Sequence, residues 1–171
     1  MNIPNVLTAL RIFLIPFFIY YLLAKEYFVA AVLFITAGAT DVLDGYIARK
    51  LNIVTKFGRL ADPFADKLIQ ISALLVLTYQ QKIPLIVIII VVVKEFLMVA
   101  GSVLLYRKNF VVSANWYGKL ATVVFYFAII LTMFDVAMGR YFIAFAIITT
   151  VFALLKYTIS YKQIRSNLKK I

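Results

Sequence analysis

Residues 40–67 read TDVLDGYIARKLNIVTKFGRLADPFADK, and this stretch holds Asp41, Asp44, Asp62 and Asp66, four of the seven acidic residues in a chain of 171. Asp41 and Asp44 are three apart, and Asp62 and Asp66 are four apart. Both spacings place two carboxylates on one face of a helix. The connection from Lys50 to Gly58 is short enough to set the two faces opposite each other at one depth. Four anions gathered in this way repel one another, and burying unpaired charge costs several kcal/mol each, so the cluster calls for a cation. The chain has neither histidine nor cysteine. An all-carboxylate donor set favours hard divalent ions, Mg²⁺ or Mn²⁺, over Zn²⁺. Two such ions about 4 Å apart suit displacement at phosphorus, where they clamp the attacking and leaving oxygens. The residues between the acids agree with this reading. Gly45, Ala48 and Gly58 are small enough for close approach to the backbone, and Arg49, Lys50, Lys56 and Arg59 supply cations for a phosphate-bearing substrate.

Outward from this stretch the chain is apolar. Hydrophobic residues make up 65% and charged residues 15%, with a mean hydropathy of +1.01, a composition that marks an integral membrane protein and excludes an ordinary soluble domain. The lack of cysteine excludes a disulfide framework, and the lack of histidine excludes imidazole acid–base catalysis. The net charge of +11 sits at the ends of apolar runs, which argues against nucleic acid as the partner. A hydrocarbon core of about 30 Å needs about 20 helical residues. The sequence divides into six segments of that order, at 6-24, 28-49, 60-80, 84-106, 117-137 and 139-161. The breaks between them are short, which predicts one domain over 1-171, an all-α bundle of antiparallel neighbours.

Lys and Arg orient the bundle. One set of ends carries Arg11, Arg49, Lys50, Lys56, Arg59, Arg107, Lys108, Lys119, Lys156, Lys162, Arg165, Lys169 and Lys170, and the other carries Lys25, Lys82 and Arg140. The rich side is cytoplasmic by the positive-inside rule, which puts both termini and the four aspartates on the cytoplasmic side of a cell membrane.

The acidic stretch resembles the signature of the CDP-alcohol phosphatidyltransferase family: Asp, two residues, Asp-Gly, two residues, Ala-Arg, eight residues, Gly, three residues, Asp, three residues, Asp. Asp41, Asp44-Gly45, Ala48-Arg49, Gly58, Asp62 and Asp66 match it at every spacing. The opening NIPNVLTALR looks like the start common in the branch that makes phosphatidylglycerophosphate or cardiolipin. The resemblance implies a six-helix membrane fold and transfer of a phosphatidyl group from CDP-diacylglycerol to an alcohol, with release of CMP. It further implies that Asp41, Asp44, Asp62 and Asp66 hold two divalent metals, that Asp66 also acts as general base, and that Gly45, Ala48, Arg49 and Gly58 line the CDP pocket. Members of the family are commonly homodimers.

The acceptor is read from VVVKEFLMVAGSVLLYRKNFVVSANWYGK, residues 91–119. Lys94 and Glu95 fall inside the fourth span, where charge needs a partner or a wet cavity. Adjacent helix positions diverge by about 100°, so one of the two is expected to point at a site. In the phosphatidylglycerophosphate branch a basic residue before Glu-Phe and a Gly-Lys at the next span bind glycerol phosphate, and by resemblance Lys94 and Lys119 take that role. Where better-known synthases carry arginine eight residues after the first basic position, this chain has Ser102, and Arg107, Lys108 or Arg59 would have to compensate. Glycerol 3-phosphate is the preferred acceptor. The alternatives are phosphatidylglycerol, which would make a cardiolipin synthase, or inositol phosphate, serine or another alcohol. A membrane prenyltransferase would carry its acidic motifs in separate loops, and a small ion transporter would place its acids nearer mid-membrane. Asn5, Thr8 and Arg11 recur every three residues, either as a polar face beside the phosphates or as an interfacial helix start. The tail KQIRSNLKK reads as a solvated basic tether to anionic membrane lipids.

Overall fold

The computed structural model describes the backbone of residues 3–50, 58–106 and 116–168; within these helices the side chains of 3–5, 42, 44–49, 58–63, 99–106, 116–119, 157 and 160–168 lie outside the description. The described residues form six α-helices: α1 Ile3–Leu23, α2 Tyr27–Lys50, α3 Gly58–Tyr79, α4 Leu85–Tyr106, α5 Trp116–Met133 and α6 Gly139–Leu168. These match the six segments expected, with two differences. Helix α5 stops at Met133 rather than at 137, because Asp135 takes a left-handed conformation. Helix α6 runs on to Leu168, so most of the basic tail continues a 30-residue helix about 45 Å long.

The chain divides into two compact units, Met1–Lys82 and Ile83–Ile171. In the first, α1, α2 and α3 pack against one another. Phe18 and Leu22 of α1 are buried, as are the small residues Ala30, Ala31 and Ala37 and the larger Phe34 on α2. The Phe18 and Phe34 rings stack with centroids 5.4 Å apart. Small side chains on one helix facing large ones on the other allow close helix approach without a central hydrophobic layer. In the second unit α6 packs on both α5 and α4, burying Phe125, Ala128 and Ile129 of α5, Ile143 and Ala146 of α6, and Val87 and Val91 of α4.

Helices α1, α3 and α5 end in the same device. After α1, α3 and α5 a single residue turns left-handed, Lys25 (φ 63°), Gln81 (φ 61°) and Asp135 (φ 53°). The next amide in each case donates five residues back: Glu26 to the Tyr21 carbonyl, 3.0 Å, Lys82 to Leu77, 2.9 Å, and Val136 to Leu131, 3.1 Å. These six-to-one bonds satisfy carbonyls that the helix end would leave orphaned. In the first unit Gln80 Nε2 also donates to the Leu22 carbonyl (2.7 Å), and the Lys82 ammonium lies 3.9 Å from the Tyr27 ring centroid.

The outer surface is apolar. Phe13, Phe28, Ile35, Phe96 and Phe145 are among the large hydrophobic side chains left exposed. Two 18-residue windows, Val6–Leu23 and Gly139–Lys156, are long and apolar enough to cross a membrane, and only 22% of each is buried. A soluble core helix of that composition would hide its surface, whereas these helices turn it outward, as a membrane protein does toward lipid.

Candidate active site

The site is built on the ends of α2 and α3. The backbone is helical through 40–50 and from Gly58 onward, so the spacings 41/44 and 62/66 are helical spacings, each spanning about one turn. Asp41 and Asp66 are the two motif acids whose side chains are described. Both are partly buried, on helices that pack within one unit. Asp44, Gly45, Ala48 and Arg49 lie on α2, and Gly58 and Asp62 on α3; their side chains fall outside the described set. Among the described residues no group of three or more acidic side chains gathers.

The Asp41 ion pair is not local. Asp41 Oδ1 accepts from Arg11 Nη1 at 2.6 Å, a bond between residues 30 positions apart on different helices. Arg11 has no exposed side-chain surface, while the Asp41 side chain is 35% exposed. Thr8, one turn before Arg11, is also fully buried. Of the two readings of Asn5, Thr8 and Arg11, the interfacial helix start fails for Thr8 and Arg11, because an interfacial arginine would keep its head in water; Asn5 lies outside the described side chains. On α3, Asp66 Oδ2 is 3.5 Å from the ammonium of its neighbour Lys67, and Gln70, one turn on, is buried. Buried polar side chains therefore enter the first unit from α1 and α3 near the motif end of α2.

The second unit holds Lys94, Ser102 and Lys119. The expectation that Lys94 and Glu95 turn apart is corrected: Lys94 Nζ is ion-paired to Glu95 Oε1, and both side chains are largely buried. The Cβ atoms do diverge, but a four-carbon stem and a two-carbon stem are long enough to curl around the helix and meet, and in apolar surroundings the pairing is strongly favoured. Lys94 borders a groove of about 240 Å³ between α4 and α6, walled by Ile89, Val93, Val151 and Leu154, to which Lys94 and Thr150 turn only apolar atoms. The side chains of Ser102 and Lys119 fall outside the described set, as does Arg107 altogether.

The donor set suits a hard divalent ion. Asp41 and Asp66 offer carboxylate oxygens only, the chain contains no histidine or cysteine, and oxygen-only sites belong to Mg²⁺, Mn²⁺ and Ca²⁺.

The family model for CDP-alcohol phosphatidyltransferase matches residues 1–153, and the chain belongs to that family. Its relatives include proteins named CDP-diacylglycerol–glycerol-3-phosphate 3-phosphatidyltransferase. The one from Bacillus subtilis (strain 168) is 38% identical over 136 residues, which cover 71% of this chain and 70% of the relative. The one from Haemophilus influenzae (strain ATCC 51907 / DSM 11121 / KW20 / Rd) is 39% identical over 134 residues, covering 71% and 69%. The one from Aquifex aeolicus (strain VF5) is 32% identical over 124 residues, covering 71% and 70%.

Proposed function

We propose that this protein transfers the phosphatidyl group of CDP-diacylglycerol to glycerol 3-phosphate, giving phosphatidylglycerophosphate and CMP. The observation that carries the reading is the complete eight-element acidic motif on two helix ends of one packed unit, in a chain 38% identical to a relative named for this reaction. Asp41, Asp44, Asp62 and Asp66 hold two divalent cations, Mg²⁺ or Mn²⁺. When bound, these neutralise the donor diphosphate and stabilise the departing CMP. Gly45, Ala48 and Gly58 let CDP approach the helix backbone closely, and Arg49 pairs with its phosphate. Asp66 takes the proton of the acceptor hydroxyl as its oxygen bonds to the phosphatidyl phosphorus. The bond from that phosphorus to the bridging oxygen breaks, and CMP leaves with the electron pair.

Lys94 and Lys119 serve the acceptor phosphate in this reading by resemblance, and Ser102, which stands where better-known synthases carry arginine, sits beside them with Arg107 compensating. For Lys94 the role requires its ammonium to exchange Glu95 for phosphate. The six helices span the membrane as one catalytic domain, both termini are cytoplasmic, and the protein works as a homodimer; the Lys and Arg asymmetry supports the orientation. An acceptor screen tests the reading. Purified protein with labelled CDP-diacylglycerol and Mn²⁺ or Mg²⁺ should release CMP with glycerol 3-phosphate. Release with phosphatidylglycerol alone would reassign the chain to cardiolipin synthesis, and release with no alcohol would end the proposal.

A further inference from the structure

We infer that Arg11 is a positioning residue for the metal site, holding the Asp41 carboxylate in the orientation in which it receives a divalent cation. The inference rests on the metal-site reading of the acidic motif and adds to it a residue from a third helix, outside the motif. Arg11 is the largest fully buried side chain among the described residues, and it is a permanent cation. Its guanidinium reaches from α1 to Asp41 Oδ1 on α2 at 2.6 Å. The burial is one-sided: the guanidinium is closed off, and the carboxylate that it holds remains 35% exposed. A fully buried donor behind a partly open carboxylate is the arrangement that fixes a ligand's rotamer while leaving it reachable by an ion. Groups hydrogen-bonded behind metal ligands orient them and tune their affinity.

A purely structural tie between α1 and α2 does not explain the pair. The two helices already meet through Phe18, Phe34 and the alanines of α2, and a buried ion pair is commonly no more stabilising than well-packed apolar side chains of like volume. Thr8, buried one turn away on the same helix, extends this polar entry of α1 toward the acids. Arg11 also places one fixed positive charge against an acidic cluster that must persist between turnovers, when no substrate diphosphate is present.

The test measures Mn²⁺ binding without lipid substrate, by loss of the free-ion EPR signal, on purified wild type, Arg11→Gln, Arg11→Lys, Asp41→Asn and the Arg11→Gln/Asp41→Asn double variant, with thermal unfolding of each as the check on folding. Arg11→Gln should weaken Mn²⁺ binding by about 10–100-fold. Arg11→Lys, which keeps the charge and loses the fork, should recover part of it. In the Asp41→Asn background Arg11→Gln should weaken binding no further, because the two residues act as one unit. Wild-type affinity in Arg11→Gln, or a full additional loss in the Asp41→Asn background, would overturn the role. Should Arg11→Gln fail to fold, Arg11→Lys alone and with Asp41→Asn decides by the same comparison. A wild type that binds no Mn²⁺ would remove the metal-site reading itself, whereas Mn²⁺ binding that is unchanged in folded variants would remove only the part given to Arg11.

Discussion

Two buried arginine and lysine side chains illustrate how much a charge's meaning depends on its partner. Arg11 and Lys94 both sit within apolar helices, yet one is joined to an acid 30 positions away and the other to its immediate neighbour. The first pairing ties separate helices at the acidic motif, and the second neutralises charge within one helix. The Lys94 pair leads to a stability prediction: Lys94→Met leaves Glu95 in apolar surroundings without its cation and should cost on the order of 3 kcal/mol, while Lys94→Met/Glu95→Met should lie close to wild type. Thermal unfolding of the two variants in detergent checks it, and equal losses in both would mean that the pair is not held together in the folded protein. If Asp66 is the general base proposed above, Asp66→Asn should lower turnover by about 10²–10⁴-fold while CDP-diacylglycerol still binds; donor binding and single-turnover rate, measured separately, distinguish the two. The spacing of the four aspartates was legible from sequence because helix periodicity converts three- and four-residue intervals into one face. The Arg11 partnership was not, because nothing local relates position 11 to position 41.

At the scale of elements, the six helices follow from apolar runs of near-equal length, and their breaks follow from short polar clusters. What the runs do not reveal is how each helix stops. Lys25, Gln81 and Asp135 adopt left-handed backbone without glycine, a conformation costing an L-residue about 1–2 kcal/mol. Asp135→Gly should therefore raise the unfolding free energy by about 1 kcal/mol, and Asp135→Val should lower it, since a β-branched residue tolerates positive φ least. A few residues on, Gly139 opens α6 against the end of α5. A Cβ built there would stand 3.2 Å from both the Thr132 amide nitrogen and Thr132 Oγ1, and that hydroxyl is itself bonded to the Ala128 carbonyl at 2.8 Å. Since neither atom is a loose side-chain end, Gly139→Ala should destabilise by about 1–3 kcal/mol. Chemical or thermal unfolding of these three variants reads both effects. A sequence shows a glycine near a turn; only the packed α5–α6 pair shows that the turn has no room for a methyl group.

For the whole molecule, the orientation of the helices is the property that the proposed reaction needs, because a CDP-lipid headgroup and a phosphorylated acceptor both meet the site from the aqueous side. The chain has no cysteine, so single cysteines report the topology on a clean background. Gln81→Cys should be labelled by an impermeant maleimide in intact cells, and Ile171→Cys only after the membrane is opened; the reverse pattern would invert the orientation. Chelation should abolish CMP release, and added Mn²⁺ or Mg²⁺ should restore it. Composition and periodicity alone determined that the chain is helical and apolar and that its acids fall at helical spacings with no histidine or cysteine beside them, because these depend on residue type and on spacings shorter than one helix. The tertiary structure decided which buried charge meets which acid, that Lys94 spends its charge on Glu95, and how tightly α5 turns into α6. Those are contacts between positions that helix periodicity does not relate, set by stem length, packing space and the high cost of an unpaired charge in an apolar interior.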